Sequence, residues 1–160
     1  MTTNHKTKPG RMVRSGIRQP TVLSWTHLMR IYNKVQQRSM AHLRDQFNLT
    51  PAQFEVLARV GVAGGLSQQE LADYLLVTKG NVCGLINRME EAGLVERRQD
   101  PDDRRPNRLH LTPAGRAMFE QVVPAHEALI AELLSNVPEA DQQALLPLLR
   151  RLDRSLPDER

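Results

Sequence analysis

Two short helical segments in close succession, followed at once by a charged hairpin, constrain this sequence more than any other feature. Ser67-Gln68-Gln69-Glu70 sets a hydroxyl and a carboxylate at capping-box spacing. Leu71, Ala72 and Leu75 behind it predict a helix of about ten residues. A break at Val77-Thr78 opens a second segment, in which Val82, Leu85, Ile86 and Met89 follow the i, i+3, i+4, i+7 rule. That helix runs out at Ala92-Gly93, where Gly93 suits a left-handed cap. Beyond Gly93 the period drops to two. Leu94-Val95-Glu96-Arg97-Arg98 leads through Asp100-Pro101-Asp102-Asp103-Arg104-Arg105-Pro106 to Arg108-Leu109-His110-Leu111, which predicts a two-stranded hairpin with a charged tip. Helix, tight turn, helix and hairpin in this order make a winged helix-turn-helix. In such a module the second helix enters the major groove of DNA and the wing reaches along the backbone toward the minor groove.

The flanks are helical too. Trp25, Leu28, Met29, Tyr32, Leu43 and Phe47 share a stripe, with Val35 at its margin, and predict one long first helix. Thr50-Pro51-Ala52-Gln53 supplies the cap, first-turn proline and N3 glutamine of the next helix, which ends by Gly61 to Gly65. Thr112-Pro113 starts another that runs to about Ser135, with a kink expected at Pro124. A last helix begins near Pro138 and carries Leu145, Leu148, Leu149, Leu152 and Leu156 on one face, with Leu146 to the side. Interior Pro147 should bend or locally break it.

The first and last helices offer more apolar surface than a winged-helix module of about 70 residues can cover, so a two-fold partner is expected. The expected organisation is a flexible basic tail at 1–20, an N-terminal dimerisation helix at 21–48 and a winged helix-turn-helix lobe at 49–112. C-terminal dimerisation helices at 113–156 and a short tail at 157–160 complete a mainly α (α+β) chain.

Composition narrows the chemistry. The 160 residues carry 22 basic and 18 acidic side chains, a net +4, and Lys6, Lys8, Arg11, Arg14 and Arg18 fall in an N-terminal stretch without an acid. That arm suits polyanions. The single cysteine, Cys83, rules out an internal disulfide, and the histidines His5, His27, His42, His110 and His126 show no ligand spacing. No metal or cofactor site can be read, and an enzyme is not expected, since neither a phosphate-cradling glycine loop nor a nucleophile elbow is present. No apolar run reaches the roughly 20 residues of a membrane span, and a cytoplasmic protein is expected.

On the second helix of the motif the buried stripe leaves Gly80, Gly84, Asn87 and Glu91 facing outward, with Asn81 and Arg88 on one flank and Cys83 on the other. Asn81 can bond adenine in a bidentate way and Lys79 can reach guanine or phosphate. Thr78 adds a polar contact, and Arg88 points toward backbone phosphates. Two exposed glycines cost roughly 1 kcal/mol each relative to alanine, either tolerated by solvent or used to bring the backbone close to the groove floor.

These residues together resemble the multiple-antibiotic-resistance regulator (MarR) family. The resemblance spans about residues 21 to 156 and is most specific at the wing, Asp103-Arg104-Arg105, followed by Leu111-Thr112-Pro113-Ala114-Gly115. It implies an obligate homodimer on a pseudo-palindromic operator, usually a repressor released by a small aromatic or amphipathic ligand. It also implies that Asp103 is the wing-tip acid and Arg105 the minor-groove arginine, and the physics agrees. A narrow A·T-rich groove concentrates negative potential, and a carboxylate two residues earlier can hold the guanidinium extended. Arg104, Arg97 and Arg98 are candidates for phosphates, although strand alternation lets only some face DNA. The resemblance puts the effector in a cleft lined by the first, second and fifth helices, where Trp25, His27, Arg30, Tyr32, His42 and Phe54 are candidates. Gly84 and Cys83 depart from the side chains common in the family, so base preference does not transfer. The competing reading is a winged helix used for protein assembly or nonspecific chromosome binding.

Overall fold

The computed structural model describes residues 19–75, 79–99 and 108–156. Over these the chain forms α1 (Pro20–Phe47), α2 (Pro51–Ala63), β1 (Leu66–Ser67), α3 (Gln68–Leu75), α4 (Lys79–Glu91), β2 (Val95–Arg98), β3 (Arg108–Leu111), α5 (Pro113–Leu133) and α6 (Glu139–Ser155). This is the mainly helical winged helix-turn-helix expected from the sequence. The basic tail, the turn at 76–78, the wing tip at 100–107 and the last four residues lie outside the described residues.

Local chemistry sets the boundaries. Thr50 N donates to Gln53 Oε1 at 2.9 Å and Gln53 N to Thr50 Oγ1 at 3.3 Å, closing the capping box of α2. Ser67 and Glu70 repeat the device at α3, with Ser67 N to Glu70 Oε2 at 2.7 Å and Glu70 N to Ser67 Oγ at 3.1 Å. Helix α4 ends in a Schellman motif. Gly93 takes φ +69°, Leu94 N donates to Met89 O, and Gly93 N donates to Glu90 O, both at 2.9 Å.

Two expectations need correction. The sheet has three strands rather than two, in the order β1-β3-β2 with both pairs antiparallel. Leu66 and Ser67 pair with Leu109 and Arg108, partners far along the chain that no local period reveals. Of the bend or local break expected at Pro147, the break does not occur, since α6 runs through it. The missing N–H removes one hydrogen bond from an exposed helix, and the turns on either side keep the ladder going.

The chain divides into two compact units between Lys34 and Val35. The first contains the start of α1, where Leu23, Trp25, Ile31 and Tyr32 are exposed. The second contains the hydrophobic core. There the α4 stripe Val82, Leu85, Ile86 and Met89 packs in one cluster with Leu57, Leu71, Val95 and Leu109. No residue of α6 is buried. Among the described residues no helix is long and apolar enough to cross a membrane.

Candidate nucleic-acid interface

Burial of four consecutive stripe positions leaves α4 only one way to face. Gly80, Asn81, Asn87, Arg88 and Glu91 are exposed on its outer side, and Gly84 and Cys83 are half-buried. Lys79 is its first residue, whereas Thr78, Asp103, Arg104 and Arg105 lie outside the described residues. Neither outer glycine is required by packing among the described residues. Among these, a Cβ at Gly80 would meet nothing within 4 Å, and one at Gly84 would meet only the flexible end of Arg88 at 3.7 Å. Each glycine nonetheless costs the helix roughly 1 kcal/mol relative to alanine.

The arginines at the base of the wing are committed within the chain. By sequence Arg97 is a phosphate candidate, but its Nη1 pairs with Glu90 and its Nη2 donates to Asn87 Oδ1 at 2.9 Å. Arg98 bonds Glu96, with Nε to Oε1 at 2.8 Å. On β3, Arg108 Nη2 donates to Gly65 O at 2.9 Å and lies 3.7 Å from Glu70. The turn at Gly93 doubles β2 back over the last turn of α4, so Glu90 and Arg97 meet although seven positions separate them. Sequence reasoning missed this tie, and its one available signal is the opposite charge of two residues flanking a helix-ending glycine.

The segment that marks the end of the wing also has a structural reason. Thr112 Oγ1 donates to Gly93 O at 2.5 Å and accepts from Gly115 N at 3.0 Å, while Thr112 N donates to Leu94 O at 3.1 Å. One threonine thus caps α5 and ties its start to the end of α4. Helix, wing and α5 share a single junction.

A family model described as MarR family matches residues 47–106, from the end of α1 into the wing. The solved structure of a MarR family transcriptional regulator from Silicibacter pomeroyi is 30% identical with a TM-score of 0.73, over 88% of this chain and 97% of that one. The chain belongs to the MarR family. It is a winged helix-turn-helix transcription regulator. The transcriptional repressor MdtR of Bacillus subtilis is 32% identical over 114 residues, 71% of this chain and 73% of MdtR. S. aureus MepR, solved in complex with DNA, is 25% identical with a TM-score of 0.71, over 83% of this chain and 98% of MepR.

The effector candidates fall in both units. Trp25 and Tyr32 are 61% and 57% exposed, and His27 and Arg30 are exposed as well. In the second unit Phe54 is buried against the His126 ring at 4.4 Å, and His42 packs edge-on to Phe47 at 5.6 Å. Ser39 Oγ and His126 Nε2 are 2.8 Å apart, a hydrogen bond linking α1 to α5. His42 Nε2 is buried with no hydrogen-bond partner among the described residues.

Burial holds His126 below its ordinary pKa of 6.5, and His42 adds to this, against the opposing pull of Glu55 and Glu127. The unfolded chain therefore binds a proton at this residue more readily than the folded chain does. The stability tied to neutral His126 is present above about pH 6.5 and is lost as pH falls through the lower folded value. Between about pH 7.5 and about pH 5.5 the thermal midpoint should fall further for the native chain than for His126→Asn. Equal pH slopes in the two chains would rule out this role for His126.

Proposed function

We propose that the chain is a homodimeric, sequence-specific repressor that binds a pseudo-palindromic operator in the cytoplasm and is released by a small aromatic or amphipathic ligand. The observation that carries this is the outer face of α4, where two glycines that internal packing does not need leave the backbone bare beside Asn81 and Arg88. A bare backbone can approach the major-groove floor more closely than one covered by side chains. In this reading Thr78, Lys79 and Asn81 contact base edges and phosphates, and Arg88 contacts the backbone. Arg105, braced by Asp103 and flanked by Arg104, enters the minor groove.

Family membership supports the reading, together with the repressor name of MdtR and the DNA bound to MepR. The exposed apolar faces of α1 and α6 support the dimer. In a two-fold dimer the paired α4 helices would sit about 34–36 Å apart, one DNA turn. A ligand that prefers a dimer with its lobes at another spacing would lower operator occupancy by population shift.

The test is fluorescence-polarisation binding to the intergenic DNA beside its own gene and to shuffled DNA of equal length, at about 150 mM salt. A preference of about a thousandfold or more is expected. Gly84→Ala separates fold from function in the same assay. It should raise helix stability by roughly 0.5–1 kcal/mol and weaken operator binding at least about tenfold. Equal salt-sensitive binding to both DNAs, unaffected by Gly84→Ala, would favour nonspecific chromosome binding instead.

A further inference from the structure

Helix α4 carries an amide whose orientation is decided by the wing. Asn87 lies opposite the buried stripe in the same narrow sector as Gly80 and Gly84, so it is the first side chain met along the centre of that face. Arg97 Nη2 donates to its Oδ1 at 2.9 Å, and Glu90 anchors the other arm of the guanidinium. A guanidinium has five N–H donors and no acceptor, so the atom turned toward it has to be the amide oxygen. The usual interchange of oxygen and nitrogen in an asparagine amide is thereby settled by chemistry.

We propose that Asn87 is a donor-only reader of DNA, locked in that state by Arg97. This rests on α4 being the recognition helix. Bidentate recognition of adenine needs both ends of the amide at the base edge, the oxygen accepting from N6 and the nitrogen donating to N7. Here Arg97 holds one lone pair of the oxygen and so turns that end of the amide toward the wing, which keeps the two ends from lying together along one base edge. Nδ2, at the other end of this exposed amide, is left to donate to guanine O6 or N7, adenine N7, thymine O4 or a phosphate oxygen, and it is mismatched to the N4 donor of cytosine. Arg97 acts through Asn87 as a positioning residue. Glu90 balances its charge, so it adds little to the salt-dependent attraction for phosphate.

The experiment begins with the full chain and a library of random duplexes, from which the preferred sequence is enriched. Native chain, Asn87→Asp and Arg97→Met are then titrated against that duplex and its single-base-pair variants, with circular dichroism to check the fold. Asn87→Asp keeps an oxygen for Arg97 but replaces the outward donor with a carboxylate oxygen. It should lose at least about tenfold in affinity. Arg97→Met frees the amide to rotate, so preference at one base pair per half-site should relax and adenine should gain there, with other positions unchanged.

A purely structural Asn87 would leave base preference unchanged in both variants, since the added charge of Asp repels phosphate on every duplex alike. Native affinity in Asn87→Asp, or an unaltered base preference in Arg97→Met, overturns the proposal. Failure of the native chain to enrich any sequence would overturn the recognition-helix reading itself, and Asn87's role with it.

Discussion

Gly115→Ala is expected to destabilise the fold by at least about 3 kcal/mol, far more than one added methyl costs at an ordinary helix position. A Cβ there would lie 1.8 Å from Leu94 O and 2.8 Å from Leu94 C. These are backbone atoms that cannot rotate away. Leu94 is fixed from both sides, its N donating to Met89 O at 2.9 Å and its O accepting from Thr112 N at 3.1 Å. Relieving the clash therefore means opening the end of α4 or uncapping α5. Gly61 makes the contrast. Its Cβ would meet the Phe119 ring at 2.5 Å, and a ring can shift where a carbonyl cannot. At roughly 2–4 °C per kcal/mol for a chain of this size, Gly115→Ala should lower the melting temperature by about 6–12 °C. A drop of less than about 2 °C would show that α5 can slide away from Leu94.

What the sequence made legible is what local chemistry decides. Thr50 with Gln53, Ser67 with Glu70, Gly93 and Thr112 each mark a boundary by a side chain or backbone angle acting within a few residues, and each does so in the structure. The stripe Val82, Leu85, Ile86 and Met89 is buried as its period requires. What stayed hidden depends on partners brought close by the fold. Strand β1 is two residues that become a strand only against Leu109 and Arg108. Arg97 alternates with Glu96 and Arg98 in the sequence, and nothing local says that it turns toward Glu90 and Asn87. The need for glycine at 115 lies in a carbonyl twenty-one positions earlier. Outer residues of α4 could be listed by helical wheel, yet the wheel shows Asn87 as one more polar position and gives no hint that its oxygen is occupied. Pro147 costs the ladder one hydrogen bond and a ring clash without ending the helix, because the turns on either side carry α6 past it.

The exposure of α6 leads to the second large effect. If the proposed dimer forms through α6, Leu152→Glu should convert it to monomer, weakening self-association by at least about a hundredfold, and operator affinity should fall with it. Leu145, Leu148, Leu149 and Leu152 line one side of α6 at 37% to 52% exposure, no residue of that helix enters the core, and Leu156, expected on the same face, is instead the extended C-cap beyond the helix. An apolar face that none of the described residues covers is unstable in water unless something else covers it, and a second copy of the same helix provides a matching one. In the proposed dimer, two-fold symmetry would place each substitution in the interface twice. Each would leave a carboxylate without a cationic partner in an apolar contact, at a cost of several kcal/mol. The winged-helix core holds none of these leucines, so the variant should keep its fold by circular dichroism while sedimentation reports half the mass. DNA binding then loses the coupling between half-sites, since a monomer engages each half with no help from the other. A native chain that sediments as a monomer at micromolar concentration, or a Leu152→Glu chain that stays dimeric, would remove α6 from the interface.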